Sequence, residues 1–308
     1  MHLLRINPIF LNTCVRNLSN FSCVPKYDPV NEIDLVKLKG FLTNHKKICV
    51  LTGAGISTES GIPDYRSEGV GLYERTNHKP VQFPDFIRSA EVRRRYWARN
   101  YVGWPGFSQR QPNINHKSVC DLELKYGKTS VIITQNVDKL HHKAGSKNVI
   151  ELHGSGYKVI CLKCDYSVDR HEFQNTLNQL NPNMVATSHA IRPDGDVELS
   201  QEQIESFILP DCPKCTYGML KPDIVFFGDT IPRGRAVSVT NNVEESDALL
   251  VLGSSLTVFS SYRIALQASE LQIPIAIVNI GKTRGDHLAD IKISTKCGDI
   301  LSQACSEL

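Results

Sequence analysis

Two cysteine pairs, one histidine and three glycine- or amide-bearing turns are the residues of this chain whose spacing could do chemistry. Cys161 and Cys164 form "CLKC", and Cys212 and Cys215 form "CPKC". Each Cys-x-x-Cys knuckle can present two thiolates to one ion, and two knuckles close a tetrahedral shell around zinc. The pattern suggests no open coordination position, so the expected zinc is structural. A redox pair or free thiols are the alternatives. The other six cysteines, Cys14, Cys23, Cys49, Cys120, Cys297 and Cys305, are scattered singly, unlike a disulfide framework.

The stretch "LTGAGISTESGIPDYR" (51–66) follows the apolar run "KKICV" and opens on Gly-Ala-Gly. Gly53 and Gly55 would let the backbone approach a ligand closely. A helix beginning near Ile56 would aim free N–H groups at it, an arrangement that suits a pyrophosphate. Asp64 and Arg66 stand just beyond a rigid Gly-Ile-Pro corner. The Gly-x-Gly-x-x-Gly fingerprint of hydride-transferring dehydrogenases is missing, because position 58 is Thr. Three further segments end apolar runs. "TQNVD" (134–138) offers the amides Gln135 and Asn136 and the acid Asp138, "LHG" (152–154) offers His153, and "GSS" (253–255) forms another ligand-holding turn. Taken singly, these also read as a capped turn, a satisfied histidine and a helix N-cap.

A scaffold must bring these segments to one place. Apolar β-branched runs recur at 48–52, 131–134, 148–152, 223–227, 248–253, 275–279 and 291–294. Several are continuous rather than alternating, as in central strands of a parallel sheet covered on both faces. Helical patterns such as 31–45 and 260–271 lie between them. The expected architecture is α/β: a doubly wound, mostly parallel Rossmann-like sheet with an inserted smaller zinc-binding module and a helical layer. Its core falls at about 31–66, 116–153 and 223–300, the helical insert at about 67–115 and the zinc module at about 154–222. The polar segment 182–206 is long for a loop in a compact enzyme. It reads either as a functional segment near a substrate channel or as a surface insert.

Charge narrows the function classes. Residues 1–27 hold Arg5, Arg16 and Lys26 and no acid, and the rest of the chain carries 32 basic and 32 acidic residues. A neutral body argues against nucleic-acid binding, which depends on neutralising phosphates. No run of eighteen apolar residues appears, so no membrane span is expected. The acid-free, Asn/Ser-rich start reads as a mitochondrial presequence, with a disordered terminus as the alternative.

Together, "GAGISTESGIPDYR", "TQNVD", "LHG", "CLKC…CPKC", "FFGD", "GSS" and "VNIG" resemble the sirtuins, NAD-dependent protein deacylases, in the family's order over about residues 46–300. The sequence departs from the common pattern at Tyr65, where most members have Phe. It also departs at Asp229, which is shorter than the usual Glu, and in its long insert between the knuckles.

The resemblance implies a reaction in which nicotinamide leaves C1′ of NAD as the acyl-lysine carbonyl oxygen attacks. A histidine then takes a proton relayed from a ribose hydroxyl. His153 matches that base, and an ordinary imidazole, with a pKa of about 6.5, suits the task. Gln135 and Asn136 match the ribose- and water-holding pair, and Asp138, next to Val137, matches the acceptor for the nicotinamide amide. Ala54, Ser57, Asp64, Tyr65 and Arg66, with Gly53 and Gly55, match the nicotinamide and phosphate loop. Gly253, Ser254, Ser255, Asn279, Ile280, Gly281 and Cys297 match the adenosine side. Val225, Phe226, Phe227 and Gly228 match a strand edge for the substrate peptide. Tyr96 and Arg99, three apart on an expected helix, resemble the class II pair that binds an acidic acyl chain.

The expected partners are acylated lysines of mitochondrial metabolic enzymes, and the expected compartment is the matrix. The expected activity is removal of acidic or bulky acyl groups, with ADP-ribosyl transfer and lipoamidase activity beside it. An NAD-sensing binding module with little turnover is the rival from another class.

Overall fold

Ile48–Thr52 (β1) is buried along its whole length, and its side chains alternate between two cores. Ile48 and Val50 pack on one face while Cys49 and Leu51 pack on the other, the arrangement that a continuous apolar run dictates for a central strand. The structure, a computed structural model, describes residues 22–75, 80–184, 193, 197, 199–306 and 308. Residues 1–21 of the expected presequence, and residues 185–192, 194–196 and 198 of the long polar segment, lie outside the described residues.

Helix α1 (Glu32–Asn44) precedes β1, and its cap Asn31 accepts from the Asp34 amide. A 3-10 helix (Ala54–Ser60) follows β1, then α2 (Leu72–Arg75), α3 (Phe83–Arg88) and α4 (Ala90–Ser108). The chain returns through α5 (Ile114–Leu124), β2 (Thr129–Thr134), α6 (Leu140–Ala144) and β3 (Val149–Glu151). Next come β4 (Gly154–Cys161), β5 (Ser167–Asp169), α7 (Arg170–Leu180), α8 (Gln201–Ser206) and β6 (Leu220–Ile224). The last stretch is α9 (Arg233–Glu244), β7 (Ala248–Leu252), α10 (Phe259–Glu270), β8 (Ile275–Val278), β9 (Ile291–Ile293) and α11 (Cys297–Ser306).

The main sheet runs β3-β2-β1-β7-β8-β9 and is parallel at every pairing. Helices α1, α5 and α11 cover one face, and α9 and α10 cover the other. Strand order reverses between β1 and β7, so the crevice past their carboxyl ends is where such a sheet takes ligands. A small antiparallel sheet, β5-β4-β6, stands apart from it.

That small sheet corrects one expected strand. The run 223–227 is not part of the parallel sheet: β6 pairs with β4 and stops at Ile224. Beyond it the Val225 amide donates to the His153 carbonyl, and Asp229 N closes a turn on Phe226 O beside Gly228, whose φ is 75°. Among the described residues no helix is long and apolar enough to cross a membrane.

The helical layer and the small sheet share one core, in which Phe86, Tyr96 and Trp97 meet Val159, Phe173 and Phe226. Arg170, fully buried at the start of α7, pins them together. Its guanidinium donates to Asn100 Oδ1 (2.8 Å) and Gln174 Oε1 (2.7 Å), and lies 4.6 Å from the Trp104 ring centroid. Burial pushes its pKa down to about 9, which still leaves it charged at neutral pH. Removing it orphans two amide oxygens and opens a void between the two indoles. Arg170→Ala should cost about 2–5 kcal/mol of stability in urea unfolding. Arg170→Lys should recover little, because an ammonium lacks the planar fork.

Candidate active site and metal centre

The two turns at the strand-order reversal touch backbone to backbone. A Cβ on Gly53 would stand 2.7 Å from the Gly253 carbonyl oxygen, and one on Gly55 would stand 2.8 Å from the same atom. Gly253 itself has φ 58°. These glycines are therefore required by the neighbouring turn, a demand that adds to the expected close approach of backbone to a ligand. The expected helix near Ile56 is revised: a seven-residue 3-10 helix starts at Ala54. The amides of Gly55 and Ile56 are spent on Gly253 O and Gly53 O.

Past these turns opens a cavity of about 1350 Å³. All the expected cofactor residues except Gly53 line it, together with His153, Tyr96 and residues 225–228; Arg99 does not. Residues 22 and 24–28 also form part of the wall, and Thr295 Oγ1 donates to the Asp28 carbonyl at 2.6 Å to hold them there.

Polar groups on the wall are mostly tied to one another. The Asp64 carboxylate accepts from the amides of Arg66 and Ser67 and from the Ser67 hydroxyl, so it braces its own loop. Gln135 Nε2 donates to Ser254 Oγ at 2.8 Å, bridging the turns after β2 and β7. Asn136 Nδ2 donates to Gly53 O (3.0 Å) and Ser57 Oγ (3.1 Å), and Ser57 Oγ donates to Asp138 Oδ2 (2.7 Å). Burial raises the Asp138 pKa, against its bonds from the Leu140 amide and Ser57. Behind them sit two histidines that the sequence reading missed. His116 Nε2 lies 3.5 Å from Ser57 Oγ, and His141 Nε2 lies 3.0 Å from Thr52 Oγ1, with the two rings 5.1 Å apart. Neither had a motif of its own to announce it.

His153 projects between the turns and the 225–228 segment. Its Nδ1 lies 3.1 Å from the Gln135 carbonyl oxygen, and its Nε2 lies 2.9 Å from Ser260 Oγ. A carbonyl only accepts, so Nδ1 carries the proton. Nε2 is left with its lone pair, and Ser260 donates to it. Burial pushes the pKa down to about 4, only partly opposed by the Gln135 carbonyl, with Arg235 adding a further lowering. The ordinary value expected from sequence is thus replaced by an imidazole held neutral.

On the opposite wall, Phe83 N donates to Phe227 O at 2.8 Å, which occupies part of the expected strand edge. Tyr96 packs on Phe226, ring centroids 5.0 Å apart. Arg99 turns away, its Nε donating to Val197 O at 2.7 Å. Lys221, also missed, is 4% exposed; its Nζ donates to the Ile224 carbonyl and stands 3.5 Å from Asp229 Oδ2. The shorter acid of "FFGD" is therefore half of a part-buried ion pair with Lys221.

The four knuckle cysteines bring their sulfurs within 4.8 Å of one another, with Cys161–Cys215 at 3.8 Å and Cys164–Cys212 at 3.6 Å. Zinc–sulfur bonds of about 2.3 Å give tetrahedral edges of about 3.8 Å, so the four fit one ion. A Cβ at Gly218 would collide with Cys161 Sγ and come within 2.6 Å of Cys215 Sγ, so the cluster closes around bare backbone. Four sulfurs fill a tetrahedral shell and leave no open coordination position, which suits structural zinc.

Residues 53–260 match the family described as Sir2. The chain is 59% identical over 278 residues to "NAD-dependent protein deacylase Sirt4" of Drosophila melanogaster, covering 90% of this chain and 88% of that one. It is 52% identical over the same shares to "NAD-dependent protein lipoamidase sirtuin-4, mitochondrial" of Homo sapiens. Its fold is similar to the solved structure "Sir2-p53 peptide-NAD+", with TM-score 0.68, 27% identity, and coverage of 88% of this chain and 97% of that one.

Two outcomes follow from this geometry. Cys212→Ser should lower zinc content and melting temperature together, because binding and folding of such a site are one equilibrium; a metal-free variant of unchanged stability would contradict the assignment. Acid should destabilise the fold through its buried histidines. Burial holds His116 at about 3 and His141 well below the ordinary value, while both take up protons near pH 6.5 in the unfolded chain. Their folded pKa values are depressed, so stability is full above about pH 6.5 and falls as pH drops. His116 alone should remove about 2 kcal/mol between pH 7 and 5, and the raised Asp138 opposes this. In calorimetry at stepped pH, His116→Gln should flatten that slope.

Proposed function

The chain belongs to the Sir2 family, and from that premise we propose how its residues divide the work of NAD-dependent protein deacylation. It is an NAD-dependent protein deacylase that acts on acylated lysines in protein peptides, and NAD supplies the activated glycosidic carbon. The observation that carries our assignment is the placement of His153, which lines the cavity with Nδ1 fixed on the Gln135 carbonyl and so leaves Nε2 to accept a proton. His153 serves as the general base that accepts a ribose hydroxyl proton at Nε2. A base with a depressed pKa stays unprotonated at cellular pH, although a weakly basic nitrogen accepts less readily.

The other roles follow from the polar bonds on the wall. Gln135 and Asn136 are held by Ser254, Gly53 and Ser57, and these two fixed amides would hold the ribose and the reacting water. Asp138, buried and bonded to Ser57, receives the nicotinamide amide. The segment Val225–Gly228 takes the substrate backbone by its remaining polar groups. The zinc supports the small sheet and takes no part in the reaction.

Within deacylation, we assign a preference for acidic or bulky acyl groups. The aromatic wall of Tyr96 and Phe226 supports bulk, as does the lipoamidase relative. Reading an acidic acyl end requires Arg99 to exchange its bond to Val197 for the carboxylate. We place the enzyme in the mitochondrion, a reading supported by the acid-free, arginine-bearing start and by the mitochondrial name of the human relative, and we propose matrix metabolic enzymes as its targets.

Mass spectrometry of an acyl-lysine peptide panel with NAD tests the whole reading. The expected product is a peptide of shortened acyl mass, and His153→Tyr should reduce it by about 10²–10⁴-fold with zinc content intact. Added ADP-ribose mass would instead favour transfer to protein, and no change would favour a binding module. Arg99→Met should cut acidic acyl removal by roughly ten- to a hundredfold and spare uncharged groups. An equal loss on both would reduce Arg99 to a strut for Val197.

A further inference from the structure

His153 has one nitrogen to offer, and in this structure that nitrogen is taken. Nδ1 is committed to the Gln135 carbonyl, and Nε2 lies 2.9 Å from the Ser260 hydroxyl, which is the donor of that bond. Ser260 is the second residue of α10, just past the turn that carries Ser254 and Ser255, and it lines the same cavity. The helix backbone fixes where its Oγ can reach, so the contact belongs to the site rather than to a wandering side chain. A planar imidazole nitrogen presents a single lone pair, and a ribose hydroxyl must approach along the same direction.

We infer that Ser260 is a positioning residue that caps Nε2 of His153 and must be displaced before the base can work. The inference rests on the reading of His153 as general base. In the productive step, the ribose O–H donates to Nε2 in place of Ser260. That O–H bond breaks, an N–H bond forms on Nε2, and the electron pair stays on the ribose oxygen. The serine hydroxyl rotates away from Nε2 and leaves the new N–H to the ribose oxygen. While it donates, it favours the neutral imidazole, in the same direction as the burial that lowers the His153 pKa. The charged group bearing on the ring among the described residues is Arg235 of α9, 4.0 Å from Asp223 of β6.

Ser260→Ala and Ser260→Thr in the full chain test this. Deacylation of an acyl-lysine peptide is measured against pH alongside nicotinamide exchange, which reports the earlier step and needs no base. With the cap removed, Ser260→Ala should raise deacylation kcat/KM by about three- to tenfold, roughly the worth of one neutral hydrogen bond, and leave exchange unchanged. The acid limb of kcat/KM should move up by about half to one pH unit, because the neutral imidazole has lost its donor. Ser260→Thr keeps the hydroxyl and should behave as the parent. A fall in deacylation, an unmoved acid limb, or parallel changes in both reactions would overturn the cap. Full deacylation by His153→Tyr would instead overturn the base assignment on which it rests.

Discussion

The close approach of Gly53 and Gly55 to Gly253 is the constraint on which the rest of the site depends. Strand order reverses between β1 and β7, so the two turns that follow must share one crevice. Side chains there would force them apart, since even a Cβ would come within 2.8 Å of the facing carbonyl oxygen. Because the turns meet, Gln135 can bridge to Ser254 and Asn136 to Gly53. The cavity floor becomes a linked polar surface rather than three separate loop ends. A floor fixed in this way needs little reorganisation when a ligand arrives, which is the condition for positioning chemistry.

The site handles charge by exclusion. His153, His116 and His141 are all kept neutral by burial, and the Asp138 carboxyl is pushed upward by the same cause. Isolated charges in such a place would be costly, so the groups are tied by hydrogen bonds to neighbouring hydroxyls and backbone. Charged side chains line the cavity away from these groups, Asp64, Arg66, Lys282 and Lys296 among them; further out, Lys221 meets Asp229 and Arg170 lies over an indole with amide oxygens as partners. Both brace backbone or packing, and neither faces the reacting end of the cavity as a free cation.

Much of this was legible in the sequence because it rests on local pattern. Continuous apolar runs marked β1, β7 and β8, and the knuckle spacing marked a four-sulfur cluster. The departures have physical reasons. The run 223–227 has the composition of a central strand, but the Val225 amide is drawn to the His153 carbonyl and a left-handed Gly228 ends the extension. Residue type alone could not say which strand it would join. Arg99 has the right spacing from Tyr96, yet its reach is settled by a carbonyl nearly a hundred residues away in sequence. His116, His141 and Ser260 act through partners distant in the chain, whereas Lys221 reaches a carbonyl three residues on and an acid eight residues on; single residues of ordinary type carry no periodicity.

The core shared by the helical layer and the small sheet ties metal retention to substrate selection. Cys161 and Cys212 belong to the same packed cluster as Tyr96 and Phe226, so the zinc shell and the acyl wall are two surfaces of one body. Free energy coupled in this way is reciprocal. On that account loss of the ion should loosen the aromatic wall, and a ligand seated firmly against that wall should make the ion harder to lose. The metal would thus act as a thermodynamic ballast for the proposed acyl wall while standing outside the chemistry.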